Sequence, residues 1–295
     1  MNEKLAYVII LNWNGWKDTV ECVESCRKLT HPNFRILIVD NGSTDGSERM
    51  LRERFPDIEV LQTGRNLGFA GGNNAGIRQA LAEHADYIWL LNNDTIVDSA
   101  ALSELVKVIE GSNRVGMAGS KIYFFDRPDE IWYAGGWLKF WNGTCGHRGQ
   151  RAKDQGQYDD VAETGYVTGC SLLVPAQVVR DVGLMDERFF LLFEETDWNI
   201  RVKKQGYRLL YVPTSKVWHK VSASLGDESP LYHYYVARNS LLFTARQKPV
   251  FLFTAFLRRL ADVAYFLLGR RFQHAYFALL GLRDFTIRRF GPMRE

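Results

Sequence analysis

Residues 35–47 read RILIVDNGSTDGS, an apolar run that ends on Asp40 and turns through a polar, Gly-containing segment toward Ser47. Consecutive apolar residues stopped by such a turn mark a strand buried on both faces that feeds a helix. The same grammar recurs around it. Strands are predicted at 6–11, 35–39, 58–62 and 87–91, with helices at 16–29, 47–55, 72–84 and 100–110 between and after them. Alternation of this kind predicts an α/β fold, a mixed and mostly parallel sheet flanked by helices, whose ligands bind beyond the carboxyl ends of the strands. Further on, a strand is predicted at 167–174, a helix starting near Ala176, another helix at 195–205, and a closing strand at 208–212.

The chain has 295 residues, 46% hydrophobic and 24% charged, enough to bury a core and unlike a disordered or disulfide-dense sequence. Its net charge of +3 is unevenly placed. Residues 250–295 carry eight Arg against Asp262, Asp284 and Glu295, a balance of +5, so the first 249 residues sum to −2. No basic stripe runs through that body, which argues against nucleic acid as a partner. Cys22, Cys26, Cys145 and Cys170 form no Cys-x-x-Cys, and residues 1–11 lack a signal-peptide pattern. A reduced, cytoplasmic chain is therefore expected.

Four clusters carry candidate chemistry. Asp40, at a strand's carboxyl end, could accept the imide N–H of a uracil or thymine ring; acids at such places also cap turns. Residues 63–76, TGRNLGFAGGNNAG, hold five Gly and three Asn ahead of a helix, and suit close approach to an anionic ligand while matching no generic phosphate loop. Asn92-Asn93-Asp94 closes the fourth strand, and a carboxylate there suits a hard divalent cation shared with substrate phosphates. Residues 186–198, DERFFLLFEETDW, place Glu194 and Glu195 after an apolar run that should raise their pKa values toward that of a general base. His219 follows a predicted strand, as a structural residue or a metal ligand.

In this order, segments 39–45 (VDNGSTD), 66–74 (NLGFAGGNN), 90–94 (LLNND) and 193–197 (FEETD) resemble the family 2 glycosyltransferases with the GT-A fold, particularly the bacterial branch with rhamnosyl and galactofuranosyl transferases. The resemblance implies transfer of a sugar from a nucleoside diphosphate donor, dTDP- or UDP-linked, with inversion at the anomeric carbon. It implies that Asp40 holds the nucleobase and that Asn14, Asn66, Gly68, Asn73 and Asn93 bind the rest of the donor. Asp94, with His219, would bind Mg or Mn at the diphosphate. Glu195 would be the base, with Glu194 and Asp197 as supporting polar residues. Two positions depart from the family pattern: Asn92 leaves one carboxylate where many members have two, and Glu195 stands where Asp is more frequent.

Two other readings compete. A sugar nucleotidyltransferase would carry a Gly-rich, Arg-containing loop after its first strand, whereas 11–16 reads LNWNGW; a non-catalytic sugar-nucleotide or membrane-docking module would show no turnover. The segment 121–165 is expected to shape a pocket for a glycan or lipid-linked acceptor, with Trp132, Trp137 and Trp141 as sugar-stacking faces. The division expected is a catalytic domain over 1–245 and an amphipathic, basic helical tail over 246–295. That tail is expected to lie on the inner face of an anionic membrane, or else to pack on the body or on a second copy as a homo-oligomer.

Overall fold

The computed structural model describes residues 4–221 and 229–293. Expectations that involve residues 1–3, 294 and 295 lie outside that range. The sheet is built on β1 (Ala6–Asn12), β2 (Phe34–Asp40), β3 (Glu59–Gln62) and β4 (Tyr87–Asn92), which run parallel in the order β3-β2-β1-β4. Both faces of β1 are covered. Val8 and Ile10 pack to one side and Tyr7 and Ile9 to the other, each buried side chain contributing roughly 1.5–3 kcal/mol. The helices α1 (Trp16–Cys26), α2 (Ser47–Arg54) and α3 (Gly68–Ala82) connect these strands. Helix α3 begins at Gly68, four residues ahead of expectation. Its Gly72 and Gly76 sit so close to the sheet that an added Cβ would lie 2.5 Å from Leu11 and 2.8 Å from Ile9, so these glycines serve helix-to-sheet packing and not approach to a ligand.

Beyond β4, the short β5 (Thr95–Val97) and α4 (Ala101–Gly111) lead to β6 (Val115–Phe124), buried along its whole length. The excursion expected from 121 therefore starts later, because 121–124 still belong to this strand. It comprises β7 (Ile131–Tyr133), the hairpin of β8 (Gly136–Lys139) with β9 (Thr144–His147), and β10 (Ala162–Glu163). The sheet continues from β4 through β11 (Ser171–Pro175), β6, and β12 (Arg208–His219) to β10, with β11 and β10 reversed. Helices α5 (Ala176–Val182) and α6 (Glu194–Lys204) lie between β11 and β12.

Two strand expectations need correction. Val167 is not in a strand, because both its backbone groups bond to the Asn199 side chain, its N–H at 2.9 Å and its carbonyl at 2.9 Å, and so leave the ladder. Strand β12 does not stop at Val212; it passes Pro213 through a register shift and resumes at Lys216, so that His219 is its last residue.

The chain ends in three helices, α7 (Pro230–Gln247), α8 (Leu252–Leu268) and α9 (Phe272–Thr286). Pro230 opens α7, and the Ser229 hydroxyl accepts from the Tyr232 N–H at 3.1 Å. Residue 245, the expected boundary, falls inside α7, whose two ends of contact serve both parts of the chain. Leu242 and Phe243 pack on Phe189 and Phe193, while Ala237 and Leu241 pack with Ala255, Val263, Ala278 and Leu282 of the other two helices. Arg258 Nη2 and Arg259 Nη1 each lie 3.1 Å from Asp262. No helix among the described residues is long and apolar enough to cross a membrane.

Candidate active site

Sheet register assembles the site. Asn12 of β1 pairs with Asp40 of β2, Asp40 with Gln62 of β3, and Leu11 with Asn92 of β4, so the polar residues that end these strands stand side by side. Asp40 is fully buried and saturated. Its Oδ1 accepts from Asn12 Nδ2 at 2.7 Å and Ser43 Oγ at 2.5 Å, and its Oδ2 from Gln62 Nε2 at 2.7 Å and the Ser43 N–H at 3.2 Å. Above this edge opens a cleft of about 1260 Å³, lined at one end by Asn14, Asn41, Asn66, Gly68, Asn93 and Asp94.

These residues are fixed by short-range chemistry. Asn14 Oδ1 accepts from the Thr44 N–H, Asn66 Oδ1 from the Gly68 N–H, and Asn93 Nδ2 donates to Thr19 Oγ1. Gly68 has φ +72°, and an added Cβ would stand 2.2 Å from the Phe190 carbonyl oxygen, so no other residue fits. Asn73 is placed elsewhere: it is buried, lies outside the cleft, and donates to the Phe69 carbonyl within α3.

Asp94 and His219 are brought together by strand pairing. β5, which starts one residue after Asp94, runs antiparallel to the end of β12 with His219 opposite Thr95, and the Lys220 N–H bonds to the Asp94 carbonyl at 2.9 Å. His219 Nε2 then lies 3.1 Å from Asp94 Oδ1. Burial works against the imidazolium, but the Cys170 sulfur and the Asp94 carboxylate more than offset it, and the His219 pKa is pushed up to about 10. Among the described residues, no three or more His, Cys, Asp or Glu side chains gather into a protein-made metal cage. One carboxylate and one imidazole suit instead a divalent ion whose other ligands come from substrate phosphates and water.

The third part of the site is the loop before α6. Phe190, Leu192 and Phe193 have φ of 64°, 67° and 74°, left-handed conformations that cost non-glycine residues of order 1–3 kcal/mol each. Helix α7 holds them. Asn239 Nδ2 donates to the carbonyls of Phe189, Leu191 and Leu192 at 2.8, 2.7 and 3.0 Å, and Arg238 Nη2 to that of Phe189 at 3.1 Å. The turn delivers Glu195 to the cleft wall, with Glu194 behind it. Burial pushes the Glu195 carboxyl up to about 7, against the pull of the N–H groups of Glu195 and Thr196. Burial, then the neighbouring Glu195 charge, holds Glu194 well above the usual range, and its Oε2 has no partner among the described residues. The two neighbouring carboxyls interact, so their protons come off as a pair and not one residue at a time.

The family model of glycosyl transferase family 2 matches residues 7–168. This chain belongs to glycosyl transferase family 2. The glycosyltransferase is 28% identical over 216 residues to the N-acetylglucosaminyl-diphospho-decaprenol L-rhamnosyltransferase of Mycobacterium tuberculosis, a match covering 65% of this chain and 68% of that protein. It is 25% identical over 253 residues to the dTDP-rhamnosyl transferase RfbF of Shigella flexneri, covering 82% and 80%. Among solved structures, GalNAc-T7 with UDP, GalNAc and Mn2+ superposes with a TM-score of 0.65 at 20% identity, over 80% of this chain and 47% of that one. The mannosyltransferase PcManGT of Pyrobaculum calidifontis with GDP-Man and Mn2+ gives 0.57 at 14% identity, over 95% and 86%. These structures share its GT-A fold.

Not every expected site residue of this glycosyltransferase faces the cleft. Asp197 is fully buried away from it, accepts from Arg201 Nε of its own helix at 3.0 Å, and fastens α6 to α7 through Arg246 Nε at 3.1 Å and Gln247 Nε2 at 2.6 Å. Trp137 and Trp141 lie outside the cleft as well. Trp132 does line it, but is wedged edge-on between His147 and His219, with ring centroids 4.3 and 4.6 Å away, and so packs against the site. Burial lowers the His147 pKa to about 4, keeping that ring neutral. Asn12 and Asn41 join the strand-end network beyond the residues expected from sequence. Asn41 donates to Asn66 Oδ1 and the Gly68 carbonyl and accepts from the Leu67 N–H, tying the Gly/Asn segment to the sheet. Their position at strand ends was the available signal.

Proposed function

We propose that this glycosyltransferase moves a sugar, with inversion, from a dTDP- or UDP-linked donor to a hydroxyl of a glycan or lipid-linked acceptor, with a divalent cation at the donor diphosphate. The observation that carries the reading is one cleft lined at once by the Asp94–His219 pair and by Glu195. Asp94 and His219 hold the cation, Mg or Mn, which when bound neutralises charge that grows on the departing diphosphate. Glu195 takes the proton of the acceptor hydroxyl as it attacks the anomeric carbon, and Asn14, Asn66, Gly68 and Asn93 orient the donor. Inversion by single displacement requires one base and no covalent nucleophile. Two relatives are named as rhamnosyltransferases, one of them for a diphospho-decaprenol-linked acceptor, which supports a dTDP-rhamnose donor and a lipid-linked acceptor here. The deciding experiment is turnover with a panel of nucleotide sugars, dTDP-rhamnose first, with Mn2+ or Mg2+. Product of retained anomeric configuration would refute the inverting route.

Asp40 reads the nucleobase in this scheme by exchanging Gln62 or Ser43 for the imide N–H as its donor. Asp40→Ala is expected to weaken dTDP and UDP binding by about one to two decades, the loss of one charge-assisted hydrogen bond, with Asp40→Asn as the variant that preserves volume. Unchanged affinities in calorimetric titration would remove the assignment.

The helical tail, in the same proposal, rests on the inner face of the cell membrane. Phe253, Tyr265, Leu268 and Phe272 are 64–86% exposed, and Arg270, Arg288 and Arg289 are exposed along the same segment. The full chain should float with anionic vesicles and release as salt rises, and Phe253→Ser with Leu268→Ser should abolish flotation. Equal behaviour with neutral vesicles would favour packing against another copy of the chain.

A further inference from the structure

Helix α8 sends two guanidinium groups into the cleft that holds Glu195. Arg258 and Arg259 line it together with Asp262, Cys145 and Tyr232. Arg259 is only 5% exposed. Its Nη1 pairs with Asp262, while its Nε has no hydrogen-bond partner among the described residues. Arg258 pairs with the other oxygen of the same carboxylate. Two cations thus share one anion, leaving a net positive charge on the cleft wall. A buried guanidinium with an unmade hydrogen bond is costly unless a ligand completes it, and its planar fork matches phosphate oxygens.

The place of this pair indicates which phosphate. The donor end of the cleft is made by strand termini around Asn66 and Asp94, whereas the Arg pair comes from a helix outside the sheet. Cys145 and Glu195 line the same cleft as Arg258 and Arg259, so the pair and the proposed base share one space. On the outer side of the same helix Phe253, Leu257 and Leu260 are exposed, apolar surface continuous with Arg258.

We propose that Arg258 and Arg259 bind the phosphate of a lipid-phosphate acceptor, whose hydrocarbon chain leaves the cleft over the exposed face of α8. The inference rests on the glycosyltransfer reading above and specifies its acceptor class. It is tested by calorimetric titration of the full chain, with UDP or dTDP and Mn2+ present to fill the donor end, using farnesyl diphosphate, farnesol, inorganic pyrophosphate and short-chain phosphatidylglycerol as probes. Farnesyl diphosphate should bind most tightly. Arg258→Gln should weaken it about tenfold and Arg259→Gln about 100-fold, with farnesol and nucleotide affinities unchanged. Because Arg258 is half exposed, its variant keeps the test valid should Arg259→Gln fail to fold. Farnesyl diphosphate binding no tighter than farnesol, or indifferent to Arg258→Gln, overturns the proposal. Phosphatidylglycerol binding as tightly with the same losses also overturns it, since the pair would then read membrane headgroups. Absence of nucleotide binding, seen in its own arm of the titration, counts against the donor reading instead.

Discussion

Replacing Asp94 by Ala should lower turnover by about 10²–10³-fold while the sheet stays folded, the loss expected when one fixed stabiliser of transition-state charge is removed. The main chain at this position is held independently of the carboxylate, by the Lys220 N–H and by the β5–β12 pairing. What the substitution takes away is the carboxylate of the proposed cation pair and one of the two groups, after Cys170, that raise the His219 pKa. A cation must displace the His219 proton, so its binding should release protons and weaken as pH falls. Turnover against Mn2+ concentration checks this directly. An Asp94→Ala enzyme as active as wild type in the presence of a chelator would end the metal assignment.

Glu195→Gln is expected to cost about 100-fold to 10,000-fold in rate with donor binding intact, since the amide keeps the shape of the side chain and cannot take a proton. In wild type the rate should fall below pH 7, the value to which burial raises this carboxyl. Stability should move the other way. A carboxyl whose folded pKa is raised destabilises the native state increasingly as pH climbs from the unfolded value near 4.5 to about 7, and constantly above that. Glu195→Gln should therefore melt higher than wild type at pH 8 and alike at pH 4. A greater rate loss from Glu194→Gln would transfer the role to that neighbour.

The sheet was legible because β1, β2 and β4 are continuous apolar runs, a pattern that local sequence alone carries. The position of Asp94 and Glu195 in the cleft wall was legible for a related reason, since each follows an apolar run; Asp40 ends one too, yet lies buried outside the cleft lining. Asp197 was not, because its neighbours in sequence say nothing of Arg246 and Gln247, which turn it inward from another helix. The same holds for Val167, drawn out of the ladder by Asn199, and for Arg258 and Arg259, whose place in the cleft depends on how α8 docks. Contacts remote in sequence leave no periodic trace.

The left-handed turn that carries Glu195 is held open by Arg238 and Asn239, and this makes the two parts of the chain heritable only together. A graft of the first 229 residues onto the helices of another protein would keep every strand, yet the loop ahead of Glu195 would lose the donors that hold it. An exchanged helical unit would keep this loop in place only if it supplied side-chain donors where Arg238 and Asn239 stand.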